Sequence, residues 1–124
     1  MSSKIYIIGE IGQAHGGCIG MAHAYIDALH HSGINAVKFQ MHIAEAESSA
    51  FEPFRVPLPY STTTRMEYWK SMEFSPEQWA ALKKHCEDCN LEFLATPSSI
   101  QAVEILENLS VSKYKIGSGD TYNL

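Results

Sequence analysis

Short apolar runs alternate along this chain with longer segments of helical period, and that alternation leaves few folds open. Ile5, Tyr6, Ile7 and Ile8 form a run too short for a helix and bounded by Gly9, as a buried strand is. Ala36, Val37, Lys38, Phe39 and Gln40 make a second run, residues 92–96 a third and residues 113–116 a fourth. After the first run, Ala22, Tyr25, Ile26 and Leu29 recur at helical spacing until Gly33 ends the segment. Ser75, Pro76, Glu77 and Gln78 supply a cap, a first-turn proline and acceptors for a helix to about residue 90, with Trp79, Leu82 and Cys86 inward. Ala102, Val103, Ile105, Leu106 and Leu109 give residues 99–109 a third apolar face. Strands separated by helices pair in parallel, because each crossover returns the chain to the same end of the sheet. The expectation is an α/β chain of four parallel strands alternating with helices.

Residues 41–74 interrupt the alternation. They lose periodicity and hold Pro53, Pro57 and Pro59, which predicts a long lid or binding loop with a short helix about residues 64–71. With 124 residues, 45% hydrophobic and 19% charged, the chain has material for one core and not two. A net charge of -5 without a basic block excludes nucleic acid as a partner. No run approaches the ~18 apolar residues of a membrane span, and the N-terminus lacks the apolar core of a signal peptide. A cytoplasmic location is therefore the default expectation. Cys18, Cys86 and Cys89 read as reduced thiols, the last two as a buried and a half-exposed helix thiol, since a zinc site needs about four ligands and no second pair follows. His23, His30, His31, His42 and His85 show no metal-ligand spacing, so no metal ligands are expected.

Position along the strands carries the functional signal. Glu10, Lys38, Gln40, Thr96, Lys115, Ser118 and Asp120 all fall within or just beyond the carboxyl ends of the four runs, the edge at which parallel α/β folds bind ligands. A lysine inside a buried strand carries a large desolvation cost unless its ammonium meets a partner or a ligand anion. Lys38 and Lys115 at one edge point to a phosphate or carboxylate, with the hydroxyls of Thr96 and Ser118 and the Gly117–Gly119 backbone as further donors. The alternative is that each lysine pairs with Glu10 or Asp120. Those two acids read as acid–base groups, as sugar-hydroxyl acceptors, or as the counter-charges of the lysines. His15 either binds substrate or hydrogen-bonds its Gly-rich turn. Tyr25, Phe39, Trp79 and Phe93 are assigned to packing.

Four blocks together resemble the N-acetylneuraminate (sialic acid) synthases and relatives that make other nonulosonic acids. They are Ile8-Gly9-Glu10-Ile11-Gly12-Gln13-Ala14-His15-Gly16-Gly17, Ala36-Val37-Lys38-Phe39-Gln40, Glu92-Phe93-Leu94-Ala95-Thr96-Pro97 and Tyr114-Lys115-Ile116-Gly117-Ser118-Gly119-Asp120. Each is weak alone, but their order and spacing make a specific match over nearly the whole chain. The resemblance implies a (β/α)8 TIM barrel, of which these residues are the N-terminal half. The C-terminal half-barrel, the metal-binding histidines and a sugar-capping domain are expected to be absent from them. It implies condensation of phosphoenolpyruvate with an N-acetylated amino sugar such as N-acetylmannosamine, with a divalent metal such as manganese or magnesium. In that reaction the enol carbon attacks the open-chain aldehyde, water adds to the resulting cation, and phosphate leaves with its carbon–oxygen bond broken. Lys38, Thr96, Lys115 and Ser118 would hold phosphoenolpyruvate, while Glu10, Gln40 and Asp120, with His15, would face the sugar.

Four positions depart from the pattern the resemblance implies. Ala14 stands for an asparagine, Ser98 and Ser99 for Phe-Asp, and Asp120 for the glutamate of many members. A half-barrel with open edges is expected to self-associate as a homo-oligomer. A catalytically inactive half-barrel that binds a phosphorylated ligand or self-associates is the alternative reading. A barrel enzyme joining phosphoenolpyruvate to a phosphosugar is a third, which the four blocks fit poorly.

Overall fold

Three parallel strands, lying side by side in their sequence order, carry the molecule. The computed structural model describes residues 5–59 and 61–122. Its elements are β1 (Ile8–Gly12), α1 (Ile19–His30), β2 (Ala36–Met41), α2 (Ala44–Glu47), α3 (Arg65–Ser71), α4 (Pro76–Asp88), β3 (Glu92–Pro97) and α5 (Ile100–Asn108), then a 3-10 turn over Ser118–Asp120.

The register decides which side chains share a face. Glu10 pairs with Lys38 and Lys38 with Leu94, and one step on Gln40 pairs with Thr96. Side chains alternate along a strand, so Lys38 and Gln40 share one face while Val37, Phe39 and Met41 take the other. The second face is the core: Phe39 lies edge-on to Trp79 at 5.8 Å and stacked on Phe93 at 5.8 Å, closed by Ala22, Ile26, Leu82, Cys86, Ala102 and Leu106 from the helices. Burial pushes the Cys86 thiol up to about 12, so Cys86 packs as a small hydrophobe, as expected, with Cys89 half-buried. Helices α3 and α4 each start with a reciprocal capping box, Thr64 with Glu67 and Ser75 with Gln78, and Ser99 caps α5 by accepting from the Ala102 N–H. That cap accounts for Ser99 where the resemblance implies aspartate, since both residues serve at an N-cap; nothing in the structure explains Ser98.

Two strand expectations need correction. The first strand lies over Ile8–Gly12 rather than residues 5–8. The ladder begins where β2 begins, with Ile8 opposite Ala36, while Ile7 is held by Asn35 through N–H to Oδ1 (2.8 Å) and Asn35 N–H to the Ile7 carbonyl (2.9 Å). Glu10 therefore sits inside a strand, not beyond it. The fourth strand does not form among the described residues: Tyr114 makes one isolated bridge to Ala95 and the ladder stops. Residues 113–116 have a neighbour on one side only, and the Gly117 turn leads the chain away. Below the bridge, Lys113, Ser112 and the Tyr6 hydroxyl all bond Glu92. The Lys113 ammonium foremost, then the tyrosine, holds the Glu92 carboxyl below its usual range. An α/β fold with a parallel sheet and helices on one face is consistent with part of a TIM barrel.

The long loop contains the expected short helix, α3, and one unexpected turn, α2. No helix among the described residues is long and apolar enough to cross a membrane.

Candidate functional site

The open face at the carboxyl ends of the strands gathers most of the predicted residues into two adjoining groups. In the first, Lys38 pairs with Glu10 in direct contact, its side chain 14% exposed against 45% for the acid. The pairing of lysine with a carboxylate, foreseen as the alternative to an anion site, is thus realised for Lys38. Gly12 follows at φ +55°, beside an irregularity in the β1–β2 register. A side-chain carbon there would stand 3.0 Å from Glu10 Oε1 and 3.4 Å from Gln40 Nε2, so the glycine lets both polar heads reach the edge.

The second group lies across β3. Gln40 is paired with Thr96. A carbon added to Gly117 would meet Asp120 Oδ2 at 2.7 Å and the Thr96 methyl at 3.8 Å, so these two close over the turn. Lys115 and Asp120 line a cleft of about 290 Å³ with Ser98, Ser99 and Gly117. The Lys115 ammonium donates to the Ile116 carbonyl at 2.7 Å and has no carboxylate partner among the described residues. Lys115 is exposed, as are Ser118 and Asp120. Of the two lysines, only Lys38 thus lies in a buried strand, because the segment carrying Lys115 is not covered.

His15 is not brought to either group. It is 2% exposed on the core side, its ring 4.6 Å from Phe74 and 6.3 Å from Phe39. Its Nδ1 accepts from the Gly17 N–H at 3.0 Å, which is the turn-bonding role, and leaves the proton on Nε2, where no partner is found. Burial first, and neighbouring His42 second, lower its pKa from the ordinary histidine value.

Three residues at this edge carried no sequence assignment of their own. His42 accepts or donates at Nδ1 to Glu47 Oε1 (2.6 Å), reaches Gln40 Oε1 with Nε2 (3.4 Å) and stacks on Trp69 with centroids 4.1 Å apart. The indole N–H of Trp69 and the Gln13 amide nitrogen are buried without partners. Unpaired buried donors are uncommon, and both of these lie beside the loop that holds His42. The stacking partners come from the aperiodic loop, which hid them; Gln13 stands in a motif block already singled out.

An active-site divalent metal does not fit these residues. Among the described residues the one group of three metal-binding side chains, Asp27, His85 and Cys89, comes from helices α1 and α4 and the residue that caps α4, not from the carboxyl edge of the sheet.

Comparison with known proteins places the chain in a family. The sequence model of the NeuB family matches residues 25–124. The N-acetylneuraminate-9-phosphate synthase of Drosophila melanogaster is 36% identical over 122 residues, 97% of this chain and 33% of that protein. The N,N'-diacetyllegionaminic acid synthase of Campylobacter jejuni is 28% identical over 124 residues, 98% of this chain and 37% of that protein. Among solved structures, the N-acetylneuraminic acid (sialic acid) synthetase of Leptospira borgpetersenii in complex with citrate superposes with a TM-score of 0.77 at 27% identity, over 98% of this chain and 39% of its own. The chain thus spans about a third of the length of the curated relatives it matches. The family match extends over most of its residues, and the chain belongs to the NeuB family.

Proposed function

We propose that this chain forms the N-terminal half of a (β/α)8 barrel in a transferase that joins phosphoenolpyruvate to an N-acetylated amino sugar such as N-acetylmannosamine, releasing phosphate. The observation that carries this reading is one strand edge on which Glu10, Lys38 and Gln40 adjoin Thr96, Asp120 and Lys115, whose ammonium meets no carboxylate among the described residues.

Lys115, with the hydroxyls of Thr96 and Ser118, receives the phosphate and carboxylate of phosphoenolpyruvate, and Lys38 completes the cradle from the neighbouring strand. Fixed cations and donors stabilise charge as it builds on departing phosphate, and no proton need move on them. Glu10 orients the Lys38 ammonium and shares the sugar side with Asp120. Gln40 hydrogen-bonds a sugar hydroxyl, and the unpaired donors of Gln13 and Trp69 suit the carbonyl and hydroxyl oxygens of an N-acetylated sugar. The manganese or magnesium ion of such a reaction takes its ligands from outside the described residues, and none of these side-chain roles passes through it.

Lys115→Ala and Lys38→Ala in the complete synthase test the anion cradle. A charge-assisted hydrogen bond contributes about 1.5–3 kcal/mol, so kcat/KM at limiting phosphoenolpyruvate should fall by about tenfold or more. Unchanged turnover there removes the assignment. A second reading, an inactive half-barrel that binds a phosphorylated ligand or pairs with itself, draws on the exposed apolar margin of β1, where Ile5 is 83% and Ile7 50% exposed. Calorimetric binding of phosphoenolpyruvate without turnover, in the complete protein, would favour it.

A further inference from the structure

Helices α1 and α4 lie side by side, and the seam between them collects four side chains of metal-binding type. His23 and Asp27 are one turn apart on α1; His85 lies on α4 and Cys89 caps it, one turn further on. Residues at that spacing share a helix face. The seam then joins the pairs: His85 Nδ1 is 2.8 Å from His23 Nδ1, and His85 Nε2 is 2.9 Å from Asp27 Oδ1. Donor atoms of Asp27, His85 and Cys89 all lie within 4.8 Å of one another. Tetrahedral ligands at ~2.0–2.3 Å from a common ion stand about 3.3–3.8 Å apart, so these atoms need draw together by no more than about 1.5 Å to share one. His30 Nδ1 meets the Cys89 carbonyl at 2.9 Å, which ties the end of α4 to α1 at the cysteine. Asp27 is exposed, with His85 and Cys89 half-buried, so an ion has access and room to keep a water.

We propose that the α1–α4 seam binds a zinc-like divalent transition ion through Asp27, His85 and Cys89, with water completing the shell and His23 as a positioning residue. A thiolate, an imidazole and a carboxylate together suit zinc; magnesium and calcium prefer oxygen ligands alone. The partner on the second ring nitrogen of a ligating histidine fixes which nitrogen faces the ion, and His23 occupies that place on His85. The ion would clamp the outer helices of successive strand–helix units, away from the carboxyl edge where substrate is proposed to bind.

The test is a cobalt titration of the intact, untagged chain after chelator treatment. The expected result is a thiolate-to-cobalt charge-transfer band that saturates at equimolar cobalt, is displaced by zinc, and accompanies a rise in thermal midpoint with zinc. Cys89→Ser should abolish the band while the fold, followed by circular dichroism, persists; Cys18→Ser should leave it intact. Asp27→Asn and His85→Gln should each weaken cobalt binding at least about tenfold, and His23→Gln by about 10–100-fold with the band retained. Absence of the band in the parent chain, its survival in Cys89→Ser, or unchanged affinity in both Asp27→Asn and His85→Gln would overturn the proposal. The thiolate band separates this site from any ion held by oxygen and histidine ligands elsewhere.

Discussion

His15 has both ring nitrogens out of water and a partner for only one. Its Nδ1 accepts the Gly17 N–H while Nε2 is unpaired, and a buried donor without a partner costs about 1–3 kcal/mol. Burial holds its pKa below the ordinary value, so as pH falls the unfolded chain takes up the proton first. The stability linked to His15 is complete above about pH 6.5, the unperturbed histidine value, and is lost as pH falls through the lower folded value. His15→Phe keeps a ring beside Phe39 and Phe74, removes the orphan donor and sacrifices one acceptor. At neutral pH it should change unfolding free energy by no more than about 1 kcal/mol, since two terms of that size oppose. Denaturant unfolding across a pH series should show a shallower acid loss than the parent. An identical acid limb in both proteins would place that dependence elsewhere, His23 being the other histidine with a lowered pKa.

At the scale of elements, the β1–α1 loop sets where α3 sits over the carboxyl edge. Gly16 and Gly17 both take positive φ, +58° and +76°, but a side-chain carbon on Gly16 meets nothing within 4 Å, whereas on Gly17 it would stand 1.8 Å from the Ser71 carbonyl at the end of α3. Gly16→Ala should therefore cost only the backbone strain, about 1–2 kcal/mol. Gly17→Ala adds an overpacking cost of about 1–3 kcal/mol and must shift α3, carrying Trp69 away from His42. Urea unfolding of the two variants measures the difference, and equal losses would show that the loop does not set the position of α3. Such contacts mark what the chain's pattern could and could not reveal. Periodicity and caps placed α1, α4 and α5 to within about two residues, because those signals are local. The start of β1 and the fate of residues 113–116 depended on whether a neighbouring strand was present to pair, which no local run encodes. Glu10, Lys38 and Gln40 were legible because position on a strand dictates position at its edge. The seam of Asp27, His85 and Cys89 was not, because each helix supplies half of it and the halves are far apart in sequence.

For the whole molecule, the sheet has one covered face and two unfinished edges among the described residues. The free edge of β1 is preceded by Ile5, Tyr6 and Ile7, which are 83%, 47% and 50% exposed, and Ile8 within it is 42% exposed. Beyond β3 a single bridge at Tyr114 stands where a ladder would continue. An apolar, unpaired strand margin is a template for another chain, and the net charge of -5 opposes association only weakly at physiological salt, where screening acts over about 8 Å. This chain on its own should therefore associate with rising concentration, seen as an increasing weight-average mass in sedimentation. Paired substitution Ile5→Lys and Ile7→Lys places charges on the margin without touching Lys38, Gln40 or the turn at Gly117. It should return the chain to a monomer over the same concentrations. A parent chain that sediments as a monomer throughout would show that neither open edge is adhesive, and a double variant that associates equally would move the adhesive surface from the β1 margin to the bare face of the sheet.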